Sequence, residues 1–312
     1  MNTLGPFRIV EAPLAVSGAR CPTNILTIDL EDWYQGLEIP CSEWGKFEDR
    51  LERITSRVLE LLGDSGTKAT FFVLGKIAEA QPKVVRMVAD AGHEVGTHGY
   101  SHSLIFKQKP PEFAAELSRS VKLLEDIIGR PVLGHRAAYF SINADSLWAL
   151  EIIAEQGLAY DSSIFPIRHY RYHWSDTPRY PYVLQSPKHR LIEIPVSTLS
   201  ILGHNLPMFG GFYLRFFPRA IVGKGVRILN KQGYPAVIYL HPWELDPKQP
   251  KISLPYRLRL PHYWRLGSTR GKLRSLLRKF KFGPACDILP AMRQIESVAG
   301  PAPAPSPYAR EA

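Results

Sequence analysis

The sequence predicts an α/β protein whose strands form a single parallel barrel. Three observations lead there. Short β-rich segments alternate with helical ones, six or seven strand–helix units follow one another, and 312 residues are enough for one large α/β domain. Parallel strands need a long crossover between them, which each helical segment supplies. So many units in one chain fit a closed barrel better than two separate sheets.

The predicted strands are short apolar runs, and the predicted helices have one apolar face. The strands are placed at Asn24–Leu30, Thr67–Leu74, His93–Thr97, near Val132, at Ala159–Asp161, Leu191–Val196 and Ala236–His241. The helices are placed at Phe47–Leu62, Pro82–Ala91, Pro111–Ile128, Ala144–Gln156, Phe217–Lys231 and Thr269–Lys281. Gly63, Gly92 and Gly129 directly follow three of these helices, as expected of residues that end a helix.

Composition excludes several classes of protein. Hydrophobic residues make up 45% of the chain and charged residues 22%, which is typical of a packed domain and excludes a disordered or collagen-like chain. No apolar run reaches the ~20 residues of a membrane-spanning helix. The N-terminal residues lack the pattern of a secretory signal. Three widely spaced cysteines predict no disulfide framework, so we expect a cytoplasmic location.

Three carboxylates directly follow the first apolar strand, at Asp29, Glu31 and Asp32. Carboxylates this close repel one another unless a cation or a proton lies between them. Strand alternation places Asp29 and Glu31 on the same side. The alternative is a solvated acidic loop that caps the next helix.

Two histidines follow the third strand, His98 and His102, at the spacing of metal-binding HxxxH pairs. They can face one point if the turn between them is helical. Two imidazoles and one carboxylate, with positions left for water, form the usual catalytic site for a divalent metal. Histidines that only form hydrogen bonds in the core are the alternative.

Three further polar residues lie at predicted strand ends. Arg136 follows the strand near Val132 and could orient a carboxylate through a bidentate contact. His241 ends the most apolar strand of the C-terminal half, where it could exchange protons near neutral pH. An acid such as Asp161 would then hold its tautomer.

In chain order, these five places resemble the five motifs of the polysaccharide deacetylase family, the NodB-homology or carbohydrate esterase family 4 fold. The segments TIDLED, THGYSH, HRAAYF, YDSS and YLH are similar to its motifs TFDD, H-S/T-x-x-H, R-x-P-x, a fourth aspartate motif and L-x-H. The resemblance spans about Asn24 to His241. The variant forms TIDLEDW, THGYSH and LHPWELDP look most like the exopolysaccharide deacetylases of the XrtA/PEP-CTERM group.

The resemblance implies a distorted (β/α)7 barrel that removes N-acetyl groups from an amino-sugar polysaccharide or its lipid-linked precursor, in exopolysaccharide biosynthesis. By the resemblance, Asp29 is the catalytic base and Arg136 positions it. His241 is the general acid, with Asp161 as its partner.

The resemblance also implies a metal site that includes His98 and His102. The family's second aspartate is replaced by Leu30, so the carboxylate ligand is Glu31 or Asp32. Two histidines and a carboxylate predict Zn²⁺, with Co²⁺, Ni²⁺ or Mn²⁺ as alternatives.

The net charge of +10 comes from the C-terminal part of the chain. Between Pro247 and Cys286 the chain has eleven Lys or Arg residues and no Asp or Glu. We therefore expect an N-terminal lead over 1–23, a deacetylase barrel over 24–245, a basic extension over 246–298 packed on or near the barrel, and a disordered Pro/Ala-rich tail over 299–312. The helix Thr269–Lys281 combines an apolar stripe with a basic face, which predicts docking on the barrel or contact with an anionic membrane.

Three other functions remain open at this point. The same fold could hydrolyse a cyclic amide, as an allantoinase does, or it could be a carbohydrate-binding protein without activity. The aromatic stretch Tyr170–Tyr182 favours a sugar ligand, because aromatic rings stack on sugar faces. Nucleic-acid binding rests on the basic segment alone, and we expect none.

Overall fold

The computed structural model describes residues 3–11, 22–169 and 172–294. The strands are β1 Thr3–Leu4, β2 Phe7–Glu11, β3 Asn24–Leu30, β4 Thr70–Val73, β5 Glu94–Thr97, β6 Gly134–His135, β7 Tyr160–Asp161, β8 Arg168–His169, β9 Tyr172–His173, β10 Tyr182–Gln185, β11 Arg190–Glu193, β12 Thr198–Ile201, β13 His204–Pro207, β14 Val237–Leu240 and β15 Phe282–Gly283. The helices are α1 Leu51–Gly63, α2 Gly75–Ala80, α3 Pro82–Asp90, α4 Pro110–Ile128, α5 Trp148–Glu155, α6 Gly211–Phe216, α7 Arg219–Lys231, α8 Tyr256–Tyr263, α9 Thr269–Lys279 and α10 Leu289–Gln294.

Seven parallel strands form the body of the molecule, in the spatial order β14, β3, β4, β5, β6, β7 and β11. The gap between β11 and β14 is bridged by Ser197, whose Oγ accepts a hydrogen bond from Val237 N at 2.8 Å. The predicted fold, a distorted (β/α)7 barrel, is confirmed.

Close packing at the barrel opening requires glycine at position 210. Gly210 pairs with Tyr239 of β14, and a Cβ atom there would lie 1.9 Å from the Tyr239 ring. Any larger residue would push this segment away from the strand.

The core follows the predicted pattern of apolar residues. All seven residues of β3 are buried, as expected for a strand covered on both faces. Helix α1 buries one face through Leu51, Ile54, Val58 and Leu61. Helix α4 ends at Gly129, whose φ of 67° is the left-handed conformation that glycine favours.

The N-terminal lead differs from the sequence expectation, because residues 3–11 add two strands to the sheet. β2 pairs antiparallel with β10, which itself pairs antiparallel with β11. Strands as short as β1 and β2 show little periodicity of apolar residues, so the sequence of residues 1–23 did not indicate them. The tail over 299–312 lies outside the described residues.

The C-terminal segment packs against the barrel. Helix α9 buries Leu273, Leu276 and Leu277, and β15 pairs with β3. The ammonium group of Lys272 is also buried, and it donates to the backbone carbonyls of Leu214, Arg215 and Phe217, at and just beyond the last turn of α6. A cation at this position satisfies carbonyls that have no partner within the helix. In the described part of the chain, every helix is too short or too polar to cross a membrane.

Candidate active site

Polar side chains from the carboxyl ends of β3, β5, β6 and β14 meet at one rim of the barrel. Asp29 and Glu31 come from β3 and the loop after it, and His98 and His102 from the loop after β5. Arg136 follows β6 and His241 follows β14. The carboxyl ends of parallel strands meet at one face, which is where barrels place their active sites.

Glu31, His98 and His102 form a cluster suited to a metal ion. Their ligand atoms all lie within 4.8 Å of one another. Glu31 Oε1 lies 3.1 Å from His98 Nε2 and 2.9 Å from His102 Nε2. Glu31 Oε2 is buried without a hydrogen-bond partner among the described residues, and the contact of His102 Nε2 with Glu31 Oε1 is short but lacks hydrogen-bond geometry. Buried polar atoms without a partner are costly, so this donor set fits a bound divalent ion.

The two histidines meet through a loop and not through the helical turn that the sequence analysis considered. Residues 98–102 have no helical structure, and Gly99 and His102 have φ values of 76° and 61°. The Gly99 carbonyl accepts hydrogen bonds from Gly75 N and Ser120 Oγ, which hold the loop in place.

Of the two carboxylates left open by the sequence, the structure brings Glu31 to the histidines and turns Asp32 away. Asp32 accepts hydrogen bonds from the backbone N–H groups of Trp33 at 2.8 Å and Arg50 at 2.6 Å. Its assignment as a metal ligand is therefore wrong, for the physical reason that both its oxygens hold the chain entering α1. Burial raises the pKa of Asp32 to about 6, against the lowering effect of these hydrogen bonds.

Asp29 and Arg136 form a buried ion pair beside the metal cluster. Arg136 Nη1 donates to Asp29 Oδ1 at 2.7 Å and to Thr27 Oγ1 at 2.8 Å. Its remaining groups donate to the carbonyl and hydroxyl of Ser162. The guanidinium group, which is fully buried, thus fixes one oxygen of Asp29 and leaves Oδ2 towards the cavity.

His241 lies on the other side of Asp29, with its Nε2 atom 3.9 Å from Asp29 Oδ2. Its Nδ1 atom lies 2.9 Å from Oε1 of Glu244. Burial opposes the charged imidazole, but the negative charges of Glu31, Glu244 and Asp29 outweigh this effect and raise the pKa of His241 to about 9. A proton on this ring is therefore available at neutral pH.

The expected pairing of Asp161 with His241 is wrong. Asp161 Oδ1 lies 2.7 Å from Nδ1 of His135 and accepts a hydrogen bond from Ser163 Oγ at 2.7 Å. Asp161 is completely buried in the barrel interior. Burial, with the nearby charge of Asp161, raises the pKa of Glu193 well above its ordinary value. Asp161 therefore belongs to an internal acidic pair with Glu193, its partner on the neighbouring strand β11, and its Oδ1 atom is already held by His135 and Ser163.

The site opens into a cavity of about 410 Å³, a size typical of small-ligand sites. Its lining includes the aromatic side chains of Phe140, Phe165, Tyr239 and Trp243. Residues of α6 and α8 also line it, among them the exposed Arg257. The basic C-terminal segment thus contributes directly to the cavity.

The structure describes three aromatic side chains of the stretch Tyr170–Tyr182, and these three do not form the expected sugar-binding surface. Trp174 and Tyr182 are buried, and Tyr180 stacks on Tyr234 with ring centroids 3.4 Å apart. None of these three lines the cavity. Tyr170 lies outside the described residues.

Sequence reasoning also missed Glu244 and Arg215. The available signal was a glutamate three residues after His241 with proline between them, the spacing at which a side chain reaches back to the start of a helical turn. Glu244 accepts a hydrogen bond from His241 N at 3.0 Å in this way.

Two histidines and a carboxylate that could hold a metal ion, beside Asp29 and His241, are residue types that metal-dependent hydrolases use. Residues 44–159 match the family model described as polysaccharide deacetylase, and residues 162–290 match a domain of unknown function, DUF3473.

Curated relatives agree with this class. A peptidoglycan-N-acetylglucosamine deacetylase of Bacillus cereus is 34% identical over 98 residues, which are 31% of this chain and 36% of the relative. A chitooligosaccharide deacetylase of Azorhizobium caulinodans is 32% identical over 106 residues, 34% of this chain and 49% of the relative. The chain therefore spans less than half the length of these relatives. The family model and the relatives support the polysaccharide deacetylase family.

Solved structures show the same fold. A Mycobacterium smegmatis protein described as a polysaccharide deacetylase superposes with a TM-score of 0.58 at 19% identity, over 93% of this chain and 97% of that one. An allantoinase superposes with a TM-score of 0.55 at 15% identity, over 91% and 98%. At these identities the likeness concerns the fold.

Proposed function

We propose that this protein is a metal-dependent deacetylase that hydrolyses N-acetyl groups on an amino-sugar glycan, either a polysaccharide or its lipid-linked precursor. One observation carries the proposal: the cluster of Glu31, His98 and His102 shares a single cavity with Asp29 and His241. The curated relatives named above act on N-acetylated glycans by their descriptions, which agrees with this substrate class.

Glu31, His98 and His102 would hold the ion, which we propose is Zn²⁺. Imidazole and carboxylate donors suit zinc, and they also accept Co²⁺, Ni²⁺ and Mn²⁺. When bound, such an ion polarises a carbonyl group and lowers the pKa of water.

The chain's own residues supply the proton transfers. Asp29 Oδ2 accepts a proton from the attacking water, while Arg136 holds Oδ1 in place. As the carbon–nitrogen bond breaks, His241 Nε2 donates a proton to the sugar nitrogen, which leaves as an amine. The products are acetate and the free amino sugar. Asp29 Oδ2 and His241 Nε2 lie 3.9 Å apart. The proton that Asp29 takes from water can therefore pass to His241 after the reaction and restore both groups.

Arg257 supports a substrate that carries negative charge near the scissile group. It lines the cavity from α8, its side chain is exposed, and it belongs to a segment without acidic residues. A uronic acid or the diphosphate of a lipid-linked sugar would complement it. Such substrates occur in exopolysaccharide biosynthesis, the process we propose.

The exposed basic residues of the C-terminal segment support a peripheral contact with an anionic membrane surface. Arg278, Lys279 and Lys281 are exposed, while the apolar stripe of α9 is used against the barrel. The contact would therefore be electrostatic. We propose a cytoplasmic location at the inner membrane face, which the free thiols of Cys41 and Cys286 fit. Cell fractionation tests it.

The deciding experiment measures acetate release from an N-acetylated chitooligosaccharide by protein that has been stripped of metal and reloaded with single ions. We expect no release without metal and restored release with Zn²⁺. The same protein is tested on allantoin. Ring opening of allantoin without acetate release would replace the deacetylase by a cyclic-amide hydrolase, and binding of the glycan without release would indicate a protein that only binds carbohydrate.

A further inference from the structure

The carboxylate that contacts the proposed general acid comes from the same short helical turn, and not from the position that the deacetylase family uses. Glu244 Oε1 lies 2.9 Å from Nδ1 of His241 and accepts the backbone N–H of His241 at 3.0 Å. Glu244 is fully buried. An ionised carboxylate only accepts hydrogen bonds, so Nδ1 carries a proton and Nε2 faces Asp29.

The second oxygen of Glu244 is held by Arg215 of α6. Arg215 Nε donates to Glu244 Oε2 at 2.7 Å, and both side chains are buried. The positive charge of Arg215, together with the contacts from His241, lowers the pKa of Glu244 against the opposing effect of burial. Glu244 is therefore a charged group throughout the neutral range.

Arg215 is in turn fixed by the C-terminal segment. Its Nη1 atom donates to the carbonyls of His262 at 3.1 Å and Trp264 at 2.6 Å, and Nη2 donates to Pro261 at 2.7 Å. Four of the five N–H groups of the Arg215 guanidinium therefore donate hydrogen bonds, three to these carbonyls and one to Glu244. The basic segment that follows the barrel thus sets the position of Arg215, and through it that of Glu244.

The result is a row of alternating charges beside the cavity, in the order Arg136, Asp29, His241, Glu244 and Arg215. Neighbouring members are joined by contacts of 2.7, 3.9, 2.9 and 2.7 Å. A buried charge persists only where opposite charges and hydrogen bonds offset its desolvation. Each end of the row is a buried arginine, so each carboxylate lies between two cationic side chains.

We infer that Glu244, anchored by Arg215, is the positioning residue that orients His241 for proton donation to the leaving amine. This inference rests on the proposed deacetylase function. It also gives the C-terminal segment a role in the reaction, because that segment holds Arg215. Orientation of a catalytic imidazole by a buried carboxylate is a general device of acid–base catalysis.

The test uses a difference in leaving groups. An amide nitrogen must be protonated to leave, whereas the phenolate of an activated aryl acetate leaves without a proton. Glu244→Gln should lower kcat for the N-acetylated chitooligosaccharide by about 10²-fold, within the range expected for loss of general acid–base catalysis. Its kcat for the aryl acetate should stay within about twofold of wild type, because that reaction does not need the acid. His241→Ala, measured on the same two substrates, sets the full size of the effect.

Asp246→Asn is the matched control. Asp246 is a buried carboxylate two residues from Glu244, and it pairs with Arg50 at 2.7 Å, not with His241. We expect both reactions to stay at wild-type rates in Asp246→Asn. Zinc content and melting temperature are measured for every variant. If Glu244→Gln does not fold, Glu244→Asp replaces it, because it keeps the charge but shortens the reach to His241.

Selective loss of amide hydrolysis at unchanged zinc content supports the inference, in either variant. Equal losses on both substrates would assign Glu244 a structural role only, and wild-type amide hydrolysis in Glu244→Gln would remove it from the reaction. Wild-type protein that releases no acetate from the glycan overturns the proposed function, which is a separate result.

Discussion

The Nδ1 atom of His98 lies 2.8 Å from the backbone carbonyl oxygen of Arg136. A carbonyl only accepts a hydrogen bond, so Nδ1 carries the proton and the lone pair of Nε2 faces Glu31. Arg136, whose side chain holds Asp29, therefore also fixes through its backbone the tautomer of a histidine in the proposed metal cluster. Outer contacts of this kind orient the ligands in metal sites.

His98→Ala and His102→Ala each remove one of three donors from the metal cluster. We expect each change to lower zinc affinity by more than the roughly 10–100-fold that loss of an outer contact costs, and to abolish acetate release. Zinc content after dialysis measures the first effect. His204→Ala, at an exposed histidine of β13, is the control and should retain its zinc. A double variant His98→Ala/His102→Ala with wild-type zinc content would place the metal elsewhere.

Glu31→Gln and Asp32→Asn separate the two neighbouring carboxylates. Glu31→Gln should lose zinc, because the amide is a poor ligand at the centre of the cluster. Asp32→Asn should keep zinc and lose about 1 kcal/mol of stability, since one of two backbone hydrogen bonds to Asp32 is lost. Zinc analysis and thermal unfolding distinguish these outcomes. Loss of zinc from Asp32→Asn alone would reverse the assignment.

Asp29→Asn should retain zinc but lose turnover by about 10²–10⁴-fold, because the amide cannot accept the proton of water. The amide oxygen can still accept the hydrogen bond from Arg136 that Asp29 Oδ1 accepts at 2.7 Å. We therefore expect the variant to fold. Single-turnover acetate release at saturating substrate measures the loss. Turnover equal to that of wild type would show that another group takes the proton.

The sequence predicted the barrel and most of its site for a physical reason. Each buried strand is an apolar run, and each run ends in a polar residue, as at Asp29 in β3 and at His241 after β14. The partners of these residues were less predictable. Asp161 and Glu244 are both acids near strand ends, and only the structure shows that Asp161 contacts His135 while Glu244 contacts His241 from the same turn. The burial of Lys272 could not be predicted either, because a basic residue on an amphipathic helix normally faces solvent.

Zinc binding should lower the pKa of His241. Without metal, the charge of Glu31 is the largest of the effects that raise this pKa to about 9, so the ring loses its proton as the pH rises through about 9. A bound cation offsets the charge of Glu31 and repels the imidazolium, so the neutral form becomes more favourable and the pKa falls. NMR titration of the histidine rings with and without Zn²⁺ measures the change. An unchanged pKa of His241 would contradict a metal at Glu31.

The last prediction concerns the basic face of the C-terminal segment. The protein should sediment with anionic liposomes at low salt and be released as salt screens the contact, since the Debye length falls to about 8 Å at physiological ionic strength. Four basic residues are changed to Gln together: Arg274, Arg278, Lys279 and Lys281. Each basic residue near an anionic membrane surface contributes about 1 kcal/mol to binding, so we expect the quadruple variant to bind the liposomes on the order of 10²–10³-fold more weakly. Arg274 lies 4.0 Å from Asp64, so its share is smaller than that of the three exposed residues.

A control variant changes four exposed lysines elsewhere on the surface to Gln: Lys46, Lys83, Lys107 and Lys188. It has the same net charge as the test variant, so any difference between the two comes from the position of the charges and not from their number. Both variants should hydrolyse a small soluble substrate at the wild-type rate, because none of the eight residues lines the cavity. Equal sedimentation of the two variants, or of wild type with neutral and anionic liposomes, would show that α9 serves only to cover the barrel.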